Sequence, residues 1–245
     1  MMTIDTAMIL AAGLGTRMRP ITETLPKPLV EVAGKPLIAY GLEALTRAGV
    51  RRAVVNVHYL APLLIDWLSK QAGMTIEISD ETAQLLDSGG GIVKALPLLG
   101  PEPFLVLNAD TFWLEEPGSG TDNLTRMRDR FDPESMDILL MTARLDQATG
   151  HTGAGDFILS GDGRLARFKG EGDPVIYAGV IVLHPRIFQA ITEPKFSLNR
   201  CFDTAESQGR LFGMPMRGHW LTVGTPEAIG EAEAARAGYL GEPVQ

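Results

Sequence analysis

Through the first half of the chain, short runs of Val, Ile, Leu and Ala alternate with stretches whose apolar residues recur at helical spacing. "AMILAA" is followed by "LIAYGLEALTRAG", then "AVVNVHY", "LAPLLIDWLSKQ", "TIEISDE", "GGIVKALPLLG" and "FLVLNAD". Such an alternation of strands and helices is the pattern of right-handed crossover units, which predicts a parallel sheet covered by helices on both faces. Pro36 at the start of the first helical stretch and Gly49 near its end are the punctuation a helix requires.

Beyond Asp110 the pattern loosens. "DNLTRMRDRF" predicts a helix and "MDILLMTAR" a further core strand, while "GDFILS", "GRLARFK" and "VIYAGVIVL" predict antiparallel strands joined by Gly-rich turns. Helical "LNRCFDTAESQ", strand-like "LFGMPM" and "GHWLTV", and a last helix from "TPEAIGEAEAARAG" complete the chain. No linker, repeat or low-complexity segment interrupts it. The expectation is one α/β domain over residues 1–245 with a mixed sheet, its mostly antiparallel second half packed on the parallel first half.

Length and composition are compatible with that picture. A chain of 245 residues buries roughly 70 to 75% of its unfolded surface, and 45% hydrophobic with 21% charged residues is ordinary for a globular domain. With 30 acids against 22 bases the net charge is -8, which disfavours a nucleic-acid partner. No stretch approaches the roughly 20 apolar residues of a membrane span, so no membrane partner is expected. The single cysteine, Cys201, permits no intrachain disulfide and fits a reducing, cytoplasmic setting.

Candidate chemistry begins at "LAAGLGTRMRP". Gly13 and Gly15 supply two glycines of a dinucleotide-type turn, but Met18 stands where the third belongs, and no Lys-Ser/Thr pair follows as a P-loop needs. Glycines there admit positive φ and close ligand approach to backbone N–H groups; Arg17, Arg19 and Lys27 add charge suited to phosphate. In open α/β sheets ligands bind beyond the carboxyl ends of the parallel strands. The glycine loop, "DETAQLLDSGGG" and "NAD" are thereby expected at one crevice.

With "LAAGLGTRMRPITETLPKPLVEVAGKPLI", then "LNAD", "AGVIVLHP" and "GHWLTVGTPEAI", the chain resembles the sugar-phosphate nucleotidyltransferases over its whole length. The resemblance implies a Rossmann-like three-layer domain of the nucleotide-diphospho-sugar transferase type, with residues 1–110 as the nucleotide-binding half and 111–245 as the sugar-phosphate half. "LLDSGGGIVKALPLLG" and "GAGDFIL" resemble the subgroup that joins UTP to N-acetylmuramic acid 1-phosphate in cell-wall recycling. That implies a uridylyltransferase releasing pyrophosphate. A mannose-1-phosphate guanylyltransferase, another hexose-1-phosphate enzyme, or a silent sugar-nucleotide-binding regulator are the alternatives. The state expected is a monomer or small homo-oligomer.

Carried over to matching positions, the resemblance implies that Arg17 holds the triphosphate and Lys27 lies near the reacting phosphates. Ala11, Ala12 and Gly13, with Gly15 and Thr16, form the nucleotide loop, while Glu81, Gly89 and Gly90 read the base. Glu81 as a solvated carboxylate and "GGG" as a helix-opening turn are the plainer readings. Asp110 is expected to end a buried strand, where an unpaired carboxylate is costly; the resemblance makes its cation Mg²⁺. Asn108, Asp156 and Gly179 are expected at the sugar, and Lys169, Glu171 and His219 are weaker candidates. Because a sugar 1-phosphate is already anionic at neutral pH, no general base is required.

One departure stands out. Thr222 occupies the position where the subgroup carries a second metal-binding Asp. Asp110 acting as sole carboxylate with water-mediated metal binding, rescue by another acid, and loss of activity all remain open; the first is the working expectation.

Overall fold

The computed structural model describes residues 4–242. Strand β1 (Thr6–Leu10) leads into a long loop of short 3-10 turns, the hairpin β2 (Glu31–Val32) and β3 (Lys35–Pro36), and helix α1 (Leu37–Arg47). There follow β4 (Arg52–Val57), α2 (Ala61–Ser69), β5 (Thr75–Asp80), α3 (Asp87–Leu99) and β6 (Phe104–Asn108). Each predicted strand and helix of the first half is present. The strands form because Val, Ile and Leu side chains fill both faces: Ala53, Val54 and Val55 are fully buried. In α1, Leu37, Ile38, Leu42 and Leu45 share the inward face, and Arg47 occupies the last turn, where a cation suits the helix dipole.

The second half comprises β7 (Thr111–Leu114), α4 (Asn123–Arg130), β8 (Ile138–Arg144), β9 (Ala148–Thr149), β10 (Phe157–Leu159), β11 (Leu165–Arg167), β12 (Pro174–Leu183), α5 (Asn199–Ser207), β13 (Leu211–Pro215), β14 (His219–Thr222) and α6 (Glu227–Leu240). Helix α4 is started by Asp122, whose Oδ1 accepts the Thr125 N–H at 2.9 Å.

The main sheet has nine strands, ordered β11-β10-β12-β6-β1-β4-β5, with β8 beside β12 and β13 beside β8. β6, β1, β4 and β5 run parallel, with Ala7 opposite Leu105 on one side and Ala53 on the other. The sheet is mixed as expected, and its halves meet edge to edge: β12 joins β6 antiparallel, so one sheet runs through both halves. β13 pairs with β8 in parallel.

"GHWLTV" leaves the main sheet altogether, and β14 lies between β7 and β9 in a three-stranded sheet. This small sheet brings Thr222 opposite Thr111, one residue from Asp110. β7 was not foreseen, since "TFWL" is apolar without a period and its state is decided by its partner strand.

Among the described residues, no helix is long and apolar enough to cross a membrane.

Candidate functional site

A cavity of about 490 Å³ opens over the carboxyl ends of β1, β4 and β6. Ala11, Ala12, Gly13, Lys27, Glu81, Asn108 and Asp110, expected at the site from sequence, all line it. The strand ends converge there: Leu10 and Asn108, the last residues of β1 and β6, and Asn56, the next-to-last residue of β4, all line the cavity.

Leu10 O accepts the Ala109 N–H at 3.1 Å, and the Ala11 N–H donates to Asn56 Oδ1 at 2.7 Å. The next two N–H groups, of Ala12 and Gly13, find no protein acceptor among the described residues. A Cβ at Gly13 would meet nothing within 4 Å, so the loop passes the cavity with its backbone bare. Unpaired N–H groups beside a cation form an anion-binding surface.

Lys27 supplies the cation. Its side chain is 12% exposed, and Nζ lies 2.6 Å from Asp110 Oδ2. Asp110 does not end the strand as expected. β6 stops at Asn108, and the carboxylate, 35% exposed, sits in the turn to β7. Its charge is therefore met by Lys27, while Oδ1 has no protein partner among the described residues. No cluster of three or more His, Cys, Asp or Glu suited to a metal occurs among the described residues. An open hard oxygen on Asp110 fits a magnesium ion that draws its remaining ligands from phosphate and water.

Other expected residues stand elsewhere. Arg17 is exposed and does not line the cavity; its guanidinium lies over Gly224, where a Cβ would be 3.3 Å from Nη1. That still places it beside the Thr222 segment, because the Val223 N–H donates to Asp110 O. Thr16 is exposed in the same short turn. Gly15, at φ 62, serves packing: a Cβ would stand 3.0 Å from Thr22 Cγ2 and 3.1 Å from Lys27 Cβ.

Glu81 is fully buried, its Oε1 accepts from Asn56 Nδ2 at 2.7 Å, and its Oε2 accepts the Leu86 N–H at 3.0 Å. Each oxygen is thus engaged by a protein donor, which holds the carboxylate between Asn56 and the Leu86 backbone at the cavity wall.

Gly89 and Gly90 are engaged likewise. Both N–H groups donate to Phe196 O, at 3.0 and 3.2 Å. A Cβ at Gly89 would strike the Phe196 ring at 2.2 Å, and one at Gly90 would strike Pro194 O at 2.3 Å. These glycines let a strap from the second half lie against α3.

On the sugar side, Asp156 Oδ2 accepts the Tyr177 N–H at 2.8 Å, which ties the carboxylate to β12. Gly179, at φ 76, lies where the β12 register slips, and a Cβ there would meet Thr111 Oγ1 at 2.4 Å. It makes room for the close approach of Thr111 and Asn108. His219 faces Thr149 and Tyr239, and Lys169 and Glu171 are exposed away from the cavity. Buried Cys201, its thiol pushed up to about 12 by desolvation, is a core residue of α5.

Sequence reasoning missed Asn56, Asp87, Ser88 and Lys195, which also line the cavity. Asn56 was legible as the polar residue within the apolar run of β4; Lys195 sits in a loop whose placement no local pattern announces.

Comparison with known proteins agrees with this geometry. The chain is 45% identical to an N-acetylmuramate alpha-1-phosphate uridylyltransferase of Caulobacter vibrioides, with 94% of this chain and 96% of that protein covered. It is 36% identical to a protein of the same name from Neisseria meningitidis, covering 93% and 96%. A Danio rerio mannose-1-phosphate guanylyltransferase catalytic subunit beta is 31% identical over 90% of this chain and 61% of that protein. Among solved structures, a UDP-glucose pyrophosphorylase complexed with UDP-glucose shares the fold at a TM-score of 0.78, with 19% identity and 96% and 99% coverage. The nucleotidyl transferase family model matches residues 6–237, from the first strand of the sheet into the last helix, and the chain belongs to that family.

Proposed function

We propose that this protein is a sugar-1-phosphate nucleotidyltransferase that joins UTP to N-acetylmuramic acid 1-phosphate and releases pyrophosphate in the cytoplasm. The observation that carries the reaction class is the bare Ala12–Gly13 backbone lining one cavity with the half-buried Lys27–Asp110 pair. The uridylyl and N-acetylmuramate assignments rest on the two relatives of 45% and 36% identity.

In this reading the sugar-phosphate oxygen attacks the α-phosphorus of the triphosphate. The bond to the β-phosphate oxygen breaks, and pyrophosphate leaves with the electron pair. The attacking oxygen is already anionic, so positioning and charge stabilisation supply the catalysis. The Ala12 and Gly13 N–H groups and Lys27 hold the triphosphate, and Arg17 closes on it from the exposed side. Asn108 borders the acceptor. Asp110 would hold Mg²⁺, which when bound would neutralise phosphate charge.

The test is a matrix of nucleoside triphosphates against sugar 1-phosphates, with pyrophosphate release as readout. UTP with N-acetylmuramic acid 1-phosphate is expected to be the best pair. GTP with mannose 1-phosphate better by about tenfold, roughly 1.4 kcal/mol of discrimination, would overturn the uridylyl assignment, and no turnover of any pair would overturn the enzyme.

A further inference from the structure

Glu81 is a fully buried carboxylate without a cationic partner in hydrogen-bonding contact. Such a group is costly unless its acceptors are satisfied. Here they are met in a chain of fixed polarity. The Leu86 N–H donates to Oε2, Asn56 Nδ2 donates to Oε1, and Asn56 Oδ1 is left to accept the Ala11 N–H. Backbone donors at the two ends, Leu86 and Ala11, determine which way the Asn56 amide faces. Gly91 keeps the channel open, because a Cβ there would lie 2.6 Å from Glu81 Oε1 and 2.9 Å from Asn56 Nδ2.

The same peptide unit is held from its other side, where Leu10 O accepts from the Ala109 N–H. The last peptide of β1 is thus clamped between a side chain of β4 and the backbone after β6. The direction in which the chain leaves that clamp sets where the unpaired N–H groups of Ala12 and Gly13 point.

We propose that Asn56 and Glu81 form a positioning relay whose donor–acceptor polarity aims the Ala12–Gly13 backbone at the triphosphate. This rests on the nucleotidyltransferase reading above, and neither residue touches the nucleotide.

Polarity gives the relay a signature that plain packing lacks. In Glu81→Gln the side chain offers one acceptor and one donor group to two N–H donors, so either Leu86 loses its acceptor or Asn56 turns and confronts the Ala11 N–H with its own NH₂. Asn56→Asp sets two carboxylates against each other. Combining the two restores every bond: Asp at 56 accepts from the Ala11 N–H and from the Gln amide at 81, whose oxygen accepts from the Leu86 N–H. The swap is nearly isosteric and leaves the net charge unchanged.

The experiment compares the full chain, both single variants and the swap by amide hydrogen exchange at Ala11, by calorimetric binding of a non-hydrolysable UTP analogue, and by thermal melting. Each single variant is expected to lose Ala11 protection and to bind the analogue about 10²-fold more weakly, the scale of a misplaced binding loop. The swap is expected to regain both. The ratio of UTP to GTP turnover is expected to stay put throughout. Single variants that bind like the parent, a folded swap that regains nothing, or a base preference altered in Glu81→Gln while Ala11 stays protected would each overturn the relay. If a single variant fails to fold, the swap decides, since the relay requires it to fold with Ala11 protected. If the parent binds no nucleotide, the reaction class falls, whereas the exchange pattern at Ala11 still judges the relay.

Discussion

Asp110 and Asp137 both sit beside cations, and their surroundings are opposite. Asp137 is 6% exposed and accepts at Oδ1 from Arg186 Nε at 2.5 Å and from Arg210 Nε at 3.0 Å. The two arginines spend further donors on protein carbonyls, Arg186 on Met136 O and Arg210 on Glu134 O and Pro133 O. This cluster ties together the starts of β8 and β13 and the turn after β12. Asp110 shares one oxygen with Lys27 and keeps the other open to a cavity. The arginine cluster has its donors committed to the fold, and the Lys27–Asp110 pair keeps valence for a ligand. An ion pair that leaves acceptors and donors open at a strand end is the arrangement of a site.

The largest separation between the two is expected from removing each carboxylate's charge. Asp110→Asn should lower turnover by about 10³-fold or more, roughly 4 kcal/mol of transition-state stabilisation, while the melting temperature changes little. Initial rates across a Mg²⁺ titration, set beside a thermal melt, check this; full activity in Asp110→Asn would remove the carboxylate from the chemistry.

Asp137→Ala should do the reverse. It strands two guanidinium groups that are each about one-third exposed or less, so the loss is set somewhat below that of a fully buried pair, at about 2 to 4 kcal/mol. Chemical denaturation measures it, with turnover per folded molecule unchanged. If turnover fell with stability intact, the division between the two clusters would be wrong.

A sharper and smaller effect tests whether the open valence of Asp110 is a metal position. Thr222 lies opposite Thr111 in the β7–β14 pair, beside the turn that carries Asp110. Thr222→Asp should add a second carboxylate there and lower the Mg²⁺ concentration for half-maximal rate by several-fold, since magnesium is bound by one or two carboxylates plus phosphate oxygens. An unchanged requirement would mean that position 222 does not face the metal.

What the sequence disclosed follows the same division. The strands and helices of the parallel half were legible because each buries two faces or one face at a regular period. The cavity wall from Ala11 to Gly13, with Lys27, was legible because its motif lies in one stretch of chain, and Asp110, 83 positions from Lys27, because it follows another strand of the parallel sheet. Glu81, Gly89 and Gly90 were placed near the right cavity, but their protein partners were not legible. Whether a carboxylate faces a ligand or an asparagine 25 positions away is a tertiary fact, and so is a glycine that clears Phe196. The antiparallel strands β10, β11 and β12 were legible from their alternation and Gly-rich turns, whereas the parallel pairing of β13 with β8 was not, since pairing direction is written in no strand alone. Lys195 reaches the cavity on a loop held by the α3 glycines, which joins residues far apart in the chain.

The smallest expected effect lies at the edge of the closed cluster. His184 follows β12, its Nδ1 accepts the Arg186 N–H at 3.3 Å, and burial, then the Arg186 charge, hold its pKa below the ordinary 6.5. The imidazole is folded in its neutral form, so the unfolded chain takes up the proton more readily. Stability is therefore full above about pH 6.5 and declines as the pH falls below it toward the depressed folded-state value. His219, lowered by burial, adds to the same slope and is untouched by a change at 184. His184→Asn keeps an oxygen acceptor where Nδ1 accepts and removes the titration. Urea unfolding between pH 5 and 8 should give a flatter pH dependence in the variant than in the parent, with the two closest at high pH if the Asn oxygen replaces the bond. Parallel curves would show that the closed cluster excludes the proton no better than water does, and the contrast with the open Lys27–Asp110 pair would then rest on hydrogen bonding alone.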